Sequence, residues 1–135
     1  MRVFLDANVL FSAAKSPGAM RRLLDLLISA GHECWVDPFV VAEARRNLEL
    51  KAPGTLSALD ALVARVHVGA LGNDPRLEAS LPLPEKDRPV LAAAIHNRCQ
   101  ALVTGDRSHF GPRYGRTIHG VTIHSPRSLA EALVL

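Results

Sequence analysis

Residues 2–10 read Arg-Val-Phe-Leu-Asp-Ala-Asn-Val-Leu, a short apolar, β-prone run from Arg2 to Leu5 that stops at an acid, Asp6. Three later runs have the same character: Cys34 to Val36, Ala101 to Thr104 and Val121 to His124. Helical spacing fills the gaps. Met20, Leu23, Leu24, Leu27 and Ile28 fall at i, i+3, i+4, i+7 and i+8, in a segment opening at Pro17 and closing at Gly31. Ser16-Pro17, Asp37-Pro38 and Ser125-Pro126 each place a capping side chain before a proline, whose missing N–H costs nothing at the first helical position. Further helices are expected from Pro38 to about Leu50, from about Thr55 to Val66, from near Asp87, and from Pro126 to Leu133. The stretch from Gly69 to Pro84, with Gly72-Asn73-Asp74-Pro75, reads as turns. Short strands alternating with helices predict βαβ units, hence an α/β fold whose parallel sheet is covered by helices on both faces.

Composition sets the bounds. The chain has 135 residues, 48% of them apolar, and a net charge of +3, which suits one folded domain over residues 1–135 and excludes a disordered chain. There is no internal repeat and no pooled Pro/Gly linker. The longest apolar run, Val90 to Ile95, is far short of a bilayer span, and Asp6 interrupts any signal-peptide core, so no membrane association or export is expected. Cys34 and Cys99 stand far apart with no zinc or redox spacing, which fits a reducing compartment, the cytoplasm by default. Of the 16 cations 13 are Arg, whose planar fork matches phosphate oxygens, a feature that genome composition explains equally well. With six Phe, Trp and Tyr in total, base stacking is poorly provided for, which argues against a sequence-specific reader of single strands.

Parallel sheets bind ligands at the carboxyl ends of their strands. Asp6 follows the first strand, and Asp106 follows Ala101 to Thr104 across one glycine. Each is a helix cap on one reading and a site residue on the other. Asp87 begins the stripe of Val90, Leu91, Ala94 and Ile95, so it lies on an inward face, as a cap favoured by Pro89 or as a carboxylate delivered to an internal site. Glu43 lies one turn beyond Phe39 and Val40, with Asn47 a turn further, and a solvated Glu is its plainer reading. Four carboxylates on one rim would repel by about 1 kcal/mol per close pair even in water. Retained protons or a divalent cation must offset this. Oxygen donors with water suit Mg²⁺ or Mn²⁺, ions that also bind phosphate oxygens, so a phosphate ester is the natural substrate.

Leu5-Asp6-Ala7-Asn8-Val9-Leu10, Glu43, Asp87 followed by Val90-Leu91-Ala92-Ala93-Ala94, and Val103-Thr104-Gly105-Asp106 resemble, in order and spacing, the four acidic motifs of PIN domains. That family includes the VapC-type ribonuclease toxins of toxin–antitoxin pairs. The resemblance spans essentially the whole chain and implies a three-layer α/β/α sandwich with a central parallel sheet. It also implies Mg²⁺- or Mn²⁺-dependent hydrolysis of RNA phosphodiester bonds. Carried over position by position, Asp6, Glu43, Asp87 and Asp106 form the acidic site, with Asn8 holding Asp6 or a water and Thr104 as the hydroxyl before the last acid. Ala7 stands where the family often has Ser or Thr, and Arg107-Ser108-His109 follows Asp106 where several members carry another acid, which leaves one or two metals open.

On this reading Asp6, Asp87 and Asp106 hold the ion while Glu43 completes the coordination or takes the water's proton. Arg45, Arg46, Arg107, Arg113 and Arg116 are candidate phosphate contacts. An antitoxin chain would cover the acidic rim, and the helix from Pro17 to Ala30 is a candidate homodimer face, although core packing is its simpler role. His109, His119 and His124 match no ligand spacing and read as polar loop or strand residues. Two alternatives stand beside the nuclease: a non-catalytic PIN-like module binding RNA or a partner, and an aspartyl-phosphate hydrolase, whose Asp-x-Asp pattern Asn8 breaks.

Overall fold

The computed structural model describes residues 1–72 and 74–135, so Asn73 of the Gly72-Asn73-Asp74-Pro75 turn lies outside the described residues. The strands are β1 (Arg2–Leu5), β2 (Glu33–Val36), β3 (His67–Val68), β4 (Ala101–Val103), β5 (Thr117–Ile118) and β6 (Val121–His124). They form one sheet in the order β3-β2-β1-β4-β6-β5. Every neighbouring pair is parallel except β5 and β6, so the centre of the sheet is parallel, as expected, with one antiparallel edge. That edge is a hairpin turned by His119 and Gly120, both at positive φ (47° and 81°), the backbone a two-residue turn between right-twisted strands requires. Such short strands as β3 and β5 carry too few residues to announce themselves in sequence.

The helices are α1 (Ala7–Lys15), α2 (Ala19–Ser29), α3 (Pro38–Lys51), α4 (Leu56–Val63), α5 (Pro75–Ser80), α6 (Arg88–His96), α7 (Arg107–Phe110) and α8 (Pro126–Ala132). Asp37 caps α3 by accepting from Val40 N–H at 2.8 Å, and Ser125 caps α8 by accepting from Ser128 N–H at 3.0 Å. Ser16-Pro17 corrects the expectation. Ser16 ends α1, and α2 starts at Ala19 behind Gly18 with no side-chain cap. The turn-rich stretch also holds a helix, α5, where Asp74 accepts from the Arg76 and Leu77 N–H groups. It is the same acid-proline start, hidden by the surrounding turn residues.

Parallel βαβ crossovers are right-handed, which places α1 to α4 on one face of the sheet and α5 and α6 on the other. Val3, Phe4 and Leu5 are all fully buried although successive strand residues point to opposite faces, so both faces are covered around β1. The result is the three-layer α/β/α arrangement. Leu23, Leu24 and Leu27 of α2 are buried, with Met20 and Ile28 packed against the same core, so the face offered for a homodimer is used internally. No helix among the described residues is long and apolar enough to cross a membrane.

Candidate active site

β1 and β4 lie side by side at the centre of the sheet, with Leu5 opposite Val103. From β1 the chain moves outward through β2 to β3, and from β4 outward through β6 to β5. The strand order therefore reverses between β1 and β4, and the crevice beyond their carboxyl ends is where such a sheet binds ligands. Asp6 and Asp106 stand at that crevice. The Asp6 N–H donates to Val103 O at 3.0 Å, which ties the end of one strand to the other.

A hydrogen-bond net fixes Asp6. Its Oδ1 accepts from Ala7 N–H at 2.7 Å, and its Oδ2 accepts from the Thr104 hydroxyl at 2.8 Å and from Asn8 Nδ2 at 3.3 Å. Asn8 also donates to Thr104 Oγ1 at 3.3 Å and accepts from Gly105 N–H at 2.8 Å. A Cβ at position 105 would come within 3.3 Å of Asn8 Oδ1, so glycine allows this close approach. Thr104 is fully buried; its Oγ1 accepts from Asp106 N–H at 3.1 Å, and its carbonyl accepts from the Tyr114 hydroxyl at 2.8 Å. Its hydroxyl thus links the backbone of one acid to the carboxylate of the other.

Glu43 reaches the same crevice from α3, and Asp87 from the 3₁₀ turn ahead of α6. With Asp6 and Asp106 they line one open cavity of about 480 Å³. Asp87 makes no side-chain cap to α6, so the cap reading is overturned. Its Oδ2 instead meets His109 Nδ1 at 2.9 Å, while His109 Nε2 lies 3.9 Å from Asp106 Oδ2. Asp106 keeps both of its roles, capping α7 through His109 N–H at 3.2 Å while facing the cavity. His109 is a site residue that sequence reasoning missed. It follows Asp106 by three, and one turn of α7 carries its ring back over the acids. Tyr114 was missed as well. His119 is exposed on the hairpin, and His124 meets Ser128 Oγ at 3.2 Å, as polar loop and strand residues.

Burial, above all, holds the Asp6 carboxyl above the ordinary aspartate range; the Thr104 and Ala7 hydrogen bonds pull it down, and the Glu43 and Asp106 charges push it up again. The Asp6 carboxyl therefore lies within electrostatic reach of Glu43 and Asp106 across the cavity. Among the described residues no three His, Cys, Asp or Glu side chains are gathered into a ready ion-binding cluster. The donor chemistry nonetheless fits a hard divalent cation: carboxylate oxygens facing one open cavity, with burial and neighbouring carboxylates weighing against the charged form of Asp6. Mg²⁺ in particular keeps several of its waters and needs only one or two carboxylates.

The arginines proposed for phosphate lie elsewhere. Arg45 pairs with Asp60 of α4. Arg113 donates to Pro82 O and His109 O, and Arg46, Arg107 and Arg116 are exposed. None of the five lines the acidic cavity; for Arg45 and Arg46 the α3 face that presents Glu43 and Asn47 turns their positions away. The cations on its wall are Lys51 and Lys86.

The backbone resembles solved structures of low sequence identity. It superposes with a TM-score of 0.67 on a chain of VapBC2 from Rickettsia felis, solved bound to a DNA fragment from their promoter, at 18% identity over 93% of this chain and 98% of that one. A chain of VapBC-1 from nontypeable Haemophilus influenzae gives 0.59 at 14% identity, covering 94% of this chain and 99% of that one. A chain of FitAcB from Neisseria gonorrhoeae gives 0.57 at 18% identity, covering 93% and 98%. No curated protein sequence matches the chain. A family model described as PIN domain matches residues 2–108, with Asp6, Glu43, Asp87 and Asp106 all inside the match. The chain therefore belongs to the PIN domain family.

Proposed function

We propose that the protein is an endoribonuclease that hydrolyses RNA phosphodiester bonds with Mg²⁺ or Mn²⁺ at the crevice between β1 and β4. The observation that carries this reading is the meeting of four carboxylates from four separate segments around one cavity, with Asp6 burdened by burial and by its neighbours' charge. Asp6 and Asp106, fixed at adjacent strand ends, are the primary ligands, with Glu43 and Asp87 facing them. A divalent cation held there supplies charge neutralisation for the phosphate oxygens and lowers the pKa of an attacking water. Thr104 and Asn8 hold the Asp6 carboxylate in one orientation. Glu43, which has a free path to the cavity from α3, accepts the water's proton or completes the ion's shell. His109 keeps Asp87 turned toward Asp106.

The likeness to chains of VapBC2 and VapBC-1 supports a toxin role, with a small antitoxin chain covering the acidic crevice. The absence of a ready ion cluster among the described residues favours one competing reading, a PIN-like module that binds RNA without cutting it. A mixed RNA pool incubated with the protein and Mn²⁺ separates the two. Fragments that disappear in chelator and with Asp6→Asn support the nuclease; full cleavage in excess chelator, or binding with no cleavage under Mn²⁺, defeats it.

A further inference from the structure

Phe39 is 55% exposed, although burying a phenylalanine is worth roughly 1.5–3 kcal/mol. It is not stranded on an open surface. Phe39, Glu43, Asn47 and Lys51 recur every fourth residue along α3, and all four line the acidic cavity. Phe39 sits one helical turn, about 6 Å of rise, before Glu43. The chain has three lysines, and all of them gather at this end. Lys51 and Lys86 are on the cavity wall, and Lys15 and Lys51 place their Nζ atoms 5.7 and 5.6 Å from the ring of Phe11, which lines the same cavity. A flat apolar ring, a row of acids and the ammonium groups of Lys51 and Lys86 thus share one recess. That combination is complementary to a nucleotide strand. The ring takes a base, the acids with their ion take the scissile phosphate, and the ammonium groups take the flanking phosphates.

We propose that Phe39 is the stacking platform for an unpaired nucleobase next to the scissile phosphate, with Lys51 and Lys86 binding the adjoining phosphates. This rests on the nuclease reading and assigns the base contact to one residue. Base pairing would keep the base face inside a stack and away from Phe39. One ring offers a face that any base can use, so the subsite selects unpaired strands without reading their sequence.

The test is steady-state cleavage with Mn²⁺ of an unstructured RNA oligonucleotide and of the duplex made from it, with the parent protein and with Phe39→Ala, Phe39→Leu and Phe39→Trp. Melting curves establish that each variant folds, and an exposed position leaves the core untouched. Ala and Leu should raise KM for the single strand at least about fivefold with kcat little changed, whereas Trp should keep KM near the parent value. Added single strand should also quench the new Trp emission. Parent-like KM for both Ala and Leu, rescue by Leu as full as by Trp, or equal cleavage of duplex and single strand overturns the subsite and leaves the nuclease standing. Should the variants lose only self-association or a protein partner, Phe39 is a protein contact and the proposal fails. A parent protein that cuts no RNA defeats the nuclease reading and the subsite together.

Discussion

Replacing Asn8 by Asp tests the charge balance of the crevice with a change of one functional group. Asn8 Nδ2 lies 3.3 Å from Asp6 Oδ2 and 3.3 Å from Thr104 Oγ1, and Asn8 Oδ1 accepts from Gly105 N–H at 2.8 Å. An aspartate keeps the bond from Gly105, loses both donors and sets a second negative charge against Asp6. Two like charges about 4 Å apart repel by about 1 kcal/mol in water and about 4 kcal/mol at a dielectric of 20, so a half-buried pair costs about 2 kcal/mol. The two lost hydrogen bonds, both long at 3.3 Å, together add about 1 kcal/mol. Asn8→Ala carries no repulsion but also loses the bond from Gly105, about 2 kcal/mol in all. For a chain of this size about 1 kcal/mol lowers Tm by about 4 °C, so in chelator Asn8→Asp should melt about 10 °C below the parent and a few degrees below Asn8→Ala. Added Mn²⁺ should recover part of the difference. If thermal melting in chelator shows Asn8→Asp no less stable than Asn8→Ala, Asp6 is not the centre of a negative field and the electrostatic reasoning is wrong.

Burial and the nearby carboxylates raise the Asp6 pKa, so the stability this group contributes is complete below the unfolded value, about 3.9, and is lost as pH rises through the folded one. Asp6→Asn should therefore raise the metal-free Tm at pH 7, with an advantage that shrinks toward pH 4; a Tm below the parent at neutral pH counts against it. The Asp87 side chain is 9% exposed and His109 is its partner, so His109→Ala should lower stability by about 1–3 kcal/mol in urea unfolding, and an unchanged midpoint would contradict the pairing. Burial pushes the Cys34 thiol to about 11 and the Cys99 thiol to about 12. Iodoacetamide at pH 8 should leave both untouched in the native protein and label both in guanidinium, and rapid native labelling would mean the core opens far more readily than its packing implies.

Much of the fold was legible because its signals are local. Acid-proline and serine-proline starts at Asp37 and Ser125 use a side chain three residues from the N–H group it accepts from, and the α2 stripe repeats with the helix. What stayed hidden depends on the rest of the chain. Ala7–Lys15 begins directly at the end of β1, and its capping acid looked equally like a site residue because it serves as both. β3 and β5, two residues each, exist only as partners of longer neighbours. In the crevice, the residue types and the strand-end positions of Asp6 and Asp106 were readable. The partners were not: Asp87 faces His109 only because α7 turns back over the sheet, and Tyr114 reaches Thr104 from beyond α7 and the 3₁₀ turn that follows it. Arg45 and Arg46 show the same limit, since closeness in sequence to Glu43 says nothing about which face of α3 a side chain takes.

The proposed catalysis requires a divalent ion among Asp6, Glu43, Asp87 and Asp106. Anomalous diffraction from crystals grown or soaked with Mn²⁺ reads this directly. The expected result is a strong peak in the crevice within coordination distance of the Asp6 and Asp106 carboxylates, which disappears in Asp6→Asn crystals. Saturating Mn²⁺ with no peak there, or with its peak on another surface, would show that the four acids meet for some purpose other than holding a catalytic ion.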